Sequence, residues 1–260
     1  MKNAALCITD AAIGYRNGKN IKTVAEGINA SLHCGELVAL IGRNGAGKST
    51  LLRTLSAFQK PLSGRIELSG MDIAGLSPSE VAKRVAVVLT STEPAPLTVG
   101  ELVSLGRTPY TNFLGRMSVK DKELVREAME LMGVHCFGER NVADLSDGER
   151  QKCMIAKALA QETSVILLDE PTAFLDFGSK VNLFRMLKRL AVERQKAILV
   201  STHDIEMAVM FAHKLWLMHD GALDAGSVDE LSDNGSLHRF ISGDGVAYDK
   251  KNNRIEITEI

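Results

Sequence analysis

The sequence predicts an α/β fold in which alternating strands and helices build a parallel sheet. A strand-rich lobe precedes that sheet and an all-helical segment is inserted into it. Three observations carry this. The octapeptide Gly42-Arg43-Asn44-Gly45-Ala46-Gly47-Lys48-Ser49 lies between the apolar run 36–41 and the stretch 48–58, where Leu51, Leu52, Leu55 and Phe58 recur at helical spacing. Beyond Thr163 short apolar runs alternate with helical stretches, the pattern of right-handed βαβ crossovers. Between about residues 94 and 160 come capped helices without strands.

Taken in order, the first ninety or so residues read as strands separated by turn residues, interrupted by the helix that opens at Lys48. Ser77-Pro78-Ser79-Glu80 supplies an N-cap, a proline at the first helical position and an acid at the third, so a short helix follows, then a strand at 85–89. Glu93-Pro94-Ala95-Pro96 marks a stiff loop. Thr98-Val99-Gly100-Glu101 opens one helix and Ser118 another that runs to Gly133. On the second, Leu124, Val125, Ala128, Met129, Leu131 and Met132 are expected to form an apolar face, with the methionines as packing residues. Strands follow at 165–168 and 197–200, and helices at 181–190 and 205–212. After Leu231 the chain turns polar, and 254–258 alternates as an edge strand does. One domain over 1–235, with the helical subdomain inserted at about 94–160 and a tail at 236–260, is the expected organisation.

Composition narrows the classes. The chain has 260 residues, 45% of them hydrophobic, enough to build a core, and its formal net charge of -1 gives no electrostatic footprint for nucleic acid. Cys7, Cys34, Cys136 and Cys153 are scattered without a C-x-x-C pair, as thiols in a reducing compartment are. No run approaches the length of a transmembrane helix, and Thr9 and Asp10 interrupt the apolar start, so a cytoplasmic chain is expected.

The octapeptide fits G-x-x-x-x-G-K-[ST] with a strand before it and a helix after it. Its glycines let successive N–H groups turn inward, and the helix N-terminus adds partial positive charge, which makes a site for a triphosphate. Resemblance to other P-loops implies that Gly42, Asn44, Gly45, Ala46 and Gly47 cradle phosphate and that Lys48 reaches the β- and γ-phosphates. It also implies that Ser49 ligates Mg²⁺ and Thr50 assists at the phosphates.

Leu145-Ser146-Asp147-Gly148-Glu149 is, by itself, a capping box at a helix start. Placed between a P-loop and the strand Val165-Ile166-Leu167-Leu168-Asp169-Glu170, it resembles the signature motif of ATP-binding cassette (ABC) proteins, and the strand resembles Walker B. The resemblance implies that Ser146, Gly148 and Glu149 face the ATP of a partner protomer. Asp169 then holds Mg²⁺ through water and Glu170 serves as general base. Asp176 matches the D-loop, and His203 in Ser201-Thr202-His203-Asp204 matches the switch histidine. Tyr15 matches the aromatic position that stacks on adenine, although a surface tyrosine reads the same way. Two positions depart from the pattern: Thr90 stands where the Q-loop glutamine is expected, and Asp147 where glycine is commonest.

The stretch Glu101-Leu102-Val103-Ser104-Leu105-Gly106-Arg107-Thr108-Pro109-Tyr110 is similar to the ATPases of bacterial importers for iron-siderophore, haem and vitamin B12. That resemblance implies a P-loop NTPase core with a RecA-like parallel sheet and an N-terminal antiparallel β lobe. It further implies ATP and Mg²⁺ as cofactors, an ATP-dependent homodimer, membrane permease subunits as partners, and a periplasmic binding protein acting indirectly. The chain would then lie peripherally on the cytoplasmic face of the inner membrane. Siderophore, haem and cobalamin stay open as cargo, because selectivity resides in the permease. A non-transport ABC ATPase, such as one serving iron-sulphur assembly, is the alternative class.

Overall fold

The computed structural model describes residues 4–18, 20–89, 96–111, 115–173, 175–241, 246–249 and 254–257. The elements begin with β1 (Ala4–Asn17), β2 (Asn20–His33), β3 (Leu37–Gly42), α1 (Lys48–Leu55), β4 (Ser63–Leu68), β5 (Met71–Asp72), α2 (Pro78–Ala82) and β6 (Val85–Val88). Three helices follow: α3 (Val99–Ser104), α4 (Val119–Leu131) and α5 (Asp147–Ala160). Then come β7 (Val165–Leu168), α6 (Phe177–Glu193), β8 (Ala197–Thr202), α7 (Ile205–Phe211), β9 (Lys214–His219) and β10 (Ala222–Gly226). The remaining elements are α8 (Val228–Asp233), α9 (Ser236–Ile241), β11 (Val246–Asp249) and β12 (Arg254–Ile257).

The main sheet has the order β10-β9-β3-β8-β7-β6 and is parallel except at β10, which runs antiparallel to β9. The second sheet, β2-β1-β4-β5, is antiparallel throughout. The central strands are apolar without alternation because both of their faces are covered. On β3, Leu37, Ala39 and Ile41 face the cluster shared with α5, α6 and α7, while Val38 and Leu40 face the cluster shared with α1 and the antiparallel sheet. β7 and β8 divide their side chains the same way. Eight residues of α1 are too few for a stable isolated helix. Full burial of Leu51, Leu52 and Leu55 contributes about 2 kcal/mol each and fixes it in place.

Three expectations are corrected. α1 stops at Leu55, because Ser56 caps it and Ala57 takes a left-handed φ of 60°, which leaves Phe58 67% exposed instead of on the buried face. On α4 the buried stripe is Val125, Ala128, Met129 and Met132, at i, i+3, i+4 and i+7, and Leu131 falls off that stripe and is exposed. β12 pairs with β11 in a two-stranded antiparallel ribbon rather than at an edge of a larger sheet. The boxes expected at Ser77, Thr98, Ser118 and Ser146 are all formed, each with its carboxylate three residues on. Leu237 and Ile241 of α9 are buried in the main core.

Candidate functional site

Because β3, β8 and β7 are adjacent and parallel, their C-terminal ends deliver three loops to one place. The loop from β3 is the octapeptide. Gly47 caps α1 at φ 109°, and a Cβ there would stand 2.4 Å from Val24 Cγ1 and 2.7 Å from Met218 Cε, so only glycine fits. Gly45 also has a positive φ, 83°. A glycine cap contributes no side-chain acceptor, and the first turn of α1 carries no acid, so its N–H groups and positive dipole end remain available to an anion. Lys48 folds back over the loop and donates from Nζ to Gly42 O at 2.8 Å, with 5% of the residue exposed. Tyr15 lies half-exposed beside the start of α1, its hydroxyl 2.8 Å from Thr50 Oγ1. Ser49 is exposed.

The loop after β7 brings the two acids. Asp169 is 7% exposed, and its Oδ1 accepts from the Ser201 hydroxyl at 2.7 Å. The same hydroxyl accepts from the Glu170 amide at 2.9 Å. Glu170 has a left-handed φ of 45°, a conformation that costs a non-glycine residue about 1 kcal/mol. Its Oε1 is 3.4 Å from Lys48 Nζ, and its Oε2 is 3.7 Å from His203 Nδ1. Lys48, Glu170 and His203 thus form a row across the three strand ends, with His203 on the open side.

The signature-type turn stands apart from this row. Ser146 caps α5, its Oγ accepting from the Glu149 amide at 3.3 Å, while its hydroxyl and its backbone N–H donate to Glu149 Oε2 at 2.7 and 2.9 Å and hold that carboxyl below the usual range. Ser146, Gly148 and Glu149 line a cleft of about 460 Å³ together with Leu175, Ser179 and Met186. Asp176 caps α6 through the Ser179 amide at 2.8 Å. That bond, followed by the Ser179 hydroxyl, keeps the Asp176 carboxyl low. Thr90 lies outside the described residues.

The residue that sequence reasoning missed is Ser201. Its signal was a Ser-Thr pair ending an otherwise apolar strand, at 0% and 1% exposure, where a buried hydroxyl requires a partner. The Ser49 hydroxyl and the Asp169 carboxylate are hard oxygens of the kind Mg²⁺ takes.

Comparison with known proteins gives the family. The model of the ABC transporter family matches residues 25–173. An uncharacterized ABC transporter ATP-binding protein of Methanocaldococcus jannaschii is 45% identical over 208 residues, covering 80% of this chain and 70% of that protein. The iron(3+)-hydroxamate import ATP-binding protein FhuC of Bacillus subtilis is 36% identical over 220 residues, covering 84% of this chain and 80% of FhuC. Among solved structures, the dimeric structure of a bacterial ABC transporter cassette superposes with a TM-score of 0.75 at 27% identity, covering 86% of this chain and 98% of that one. With its anion-ready helix end, its paired strand-end acids and these relatives, the chain belongs to the ABC transporter family as an ATP-binding, ATP-hydrolysing subunit.

Proposed function

We propose that this chain energises an ABC importer for an iron chelate, a siderophore or haem, or for vitamin B12. It works as a head-to-tail homodimer beneath two permease subunits, which a periplasmic binding protein supplies with cargo. The observation that carries the reading is the Lys48–Glu170–His203 row at the mouth of a helix whose first turn holds no acid. The hydroxamate-import name of the Bacillus subtilis relative supports the iron-chelate class. Residues 1–235 form the catalytic domain and α3 to α5 belong to its inserted subdomain; of the segment from 236 that the sequence reads as a tail, α9 packs on the domain's core through Leu237 and Ile241.

In this reading the amides of Asn44 to Gly47 and the Lys48 ammonium take the phosphates, and Tyr15 stacks on the adenine. Glu170 accepts the proton of the attacking water, and His203 on the open side contacts the γ-phosphate. Ser49, and Asp169 through water, hold Mg²⁺, which neutralises charge on the phosphate oxygens when bound. A second copy presents its own Ser146–Glu149 turn, with Asp176 at the junction. An open cleft of about 460 Å³ lined by Phe58, Val81, Val85 and Val87, with Lys157 at its wall, supports attachment to a permease from the cytoplasmic face of the inner membrane. Among the described residues no helix is long and apolar enough to cross a membrane itself.

The test is reconstitution of the chain with its permease in vesicles, measuring ATP-driven uptake of a ferric hydroxamate, haem and cobalamin in parallel. Uptake of one cargo, abolished by Glu170→Gln, is expected. ATP turnover without uptake of any of the three overturns the importer reading in favour of a non-transport ATPase.

A further inference from the structure

The Ser146–Glu149 turn sits at one end of α5, and a buried polar clamp that touches no part of the nucleotide site holds the other end. Gly106, in the short 3-10 segment Leu105–Tyr110, comes so close to α5 that a Cβ would stand 2.3 Å from Lys157 O and 3.2 Å from Ala160 Cβ. Arg107 follows, 3% exposed, donating from one terminal nitrogen to Ala160 O at 2.8 Å and from Nε to Asp121 Oδ1 at 2.9 Å. Ala160 is the last residue of α5. Asp121 closes the capping box of α4 with its other oxygen, accepting from the Ser118 amide at 2.8 Å and the Ser118 hydroxyl at 2.6 Å. The Tyr110 ring covers the guanidinium, 4.1 Å from its central carbon. One side chain therefore ties α4, the C-terminal end of α5 and the 3-10 segment together. Beside it, Gln161 donates to Ala82 O at 2.5 Å and Val85 O at 3.0 Å, fastening the same end of α5 to the edge of the main sheet.

We propose that Arg107 is a positioning residue for the signature turn. It fixes the foot of α5 and so sets where Ser146 and Gly148 stand when a second copy closes on ATP. This rests on the paired-site arrangement proposed above. Fourteen residues make α5 about 21 Å long, so a tilt of about 5° at the foot moves Ser146 by roughly 2 Å. A displacement of that size is enough to spoil a phosphate contact. Only the planar guanidinium spans both acceptors while lying under a ring. Lysine keeps the charge beside Asp121 but reaches one acceptor at a time.

The experiment uses the full chain carrying Glu170→Gln, in which ATP-bound dimers accumulate. Sedimentation velocity with ATP and Mg²⁺ gives the dimerisation midpoint, and a fluorescent ATP analogue titrated at protein concentrations below that midpoint gives the affinity of the monomer. Adding Arg107→Lys is expected to raise the midpoint about tenfold, and Tyr110→Leu about threefold, with monomer affinity unchanged within about twofold. Far-UV circular dichroism checks that helix content is kept. If Arg107→Lys fails to fold, Tyr110→Leu carries the test, since that ring is 38% exposed. Midpoints equal to that of the parent in folded variants overturn the inference, and so does a parallel loss of monomer affinity, which marks general packing. A Glu170→Gln parent that stays monomeric with ATP overturns the paired-site reading itself, and this inference with it.

Discussion

Ser201→Ala separates the two jobs of one buried hydroxyl. The serine is 0% exposed, donates to Asp169 Oδ1 at 2.7 Å and accepts from the Glu170 amide at 2.9 Å. Its removal deletes a hydrogen bond to a carboxylate, about 1.5–3 kcal/mol, and the acceptor of a backbone amide, about 1 kcal/mol. Partial relaxation brings the expected loss of stability to about 2–3 kcal/mol, which for a chain of this size lowers the thermal midpoint by about 5–10 °C. The larger effect is on turnover. Glu170 sits at φ 45°, and its amide bond to Ser201 helps hold that strained turn. Freed from it, the carboxylate spends less time in the reactive pose, and kcat falls about ten- to a hundredfold. Nucleotide affinity stays within about twofold, because Lys48 is held by Gly42 O rather than by Ser201. Calorimetry, phosphate release and titration of a fluorescent ATP analogue read the three quantities separately. A variant that melts early yet hydrolyses ATP at the parent rate would show that Glu170 is held by other contacts, and the reasoning would fail.

Three more outcomes are expected. Tyr15→Ala removes a ring worth about 1 kcal/mol of stacking and should weaken ATP binding about fivefold while leaving tripolyphosphate binding unchanged, and Tyr15→Phe, which loses only the bond to Thr50, should bind ATP almost normally. Equal loss for both phosphates places the tyrosine away from the base. His213 accepts from the Leu37 amide at Nδ1, 2.9 Å away, and burial holds its pKa below the ordinary 6.5. Its contribution to stability is therefore complete above about pH 6.5 and is lost as pH falls through the lowered folded value, so His213→Gln should flatten the acid side of a melting-temperature profile. A variant profile as steep as the parent's would exonerate this histidine. Glu149→Gln keeps the capping box but removes a negative charge from the turn proposed to meet the γ-phosphate, and should tighten the ATP dimer severalfold at low salt; an unchanged midpoint there places the turn away from phosphate.

What was legible in the sequence divides by the range over which the chemistry acts. The P-loop, the strand-end acids and the capping boxes are local: glycine where φ is positive, a carboxylate three residues after a hydroxyl, an apolar run before Asp169. Residue type and spacing suffice for these. Ser201 escaped because its partners are 31 and 32 residues away, so only the pairing of β7 with β8 gives its hydroxyl a purpose. Arg107 escaped for the opposite reason. In the sequence it stands inside a stretch that marks the family, and an arginine there gives no sign that it is 3% exposed and bonded to Ala160 O, 53 residues on. The end of α1 failed on backbone conformation, since periodicity favours Phe58 while Ala57 adopts a left-handed φ that stops the helix first.

Electrostatics links binding to chemistry in the proposed cycle. Lys48 is almost wholly buried, and a buried ammonium without a partner costs several kcal/mol. Its charge is met by Gly42 O and by the Glu170 carboxylate at 3.4 Å. A triphosphate entering the loop competes with Glu170 for the same ammonium and brings more negative charge to it. The carboxylate then loses its hold on Lys48 and is left with His203 at 3.7 Å and with the backbone turn that Ser201 fastens. In the proposed cycle, phosphate binding at Lys48 and the freeing of Glu170, its proposed general base, are one exchange of partners at that ammonium.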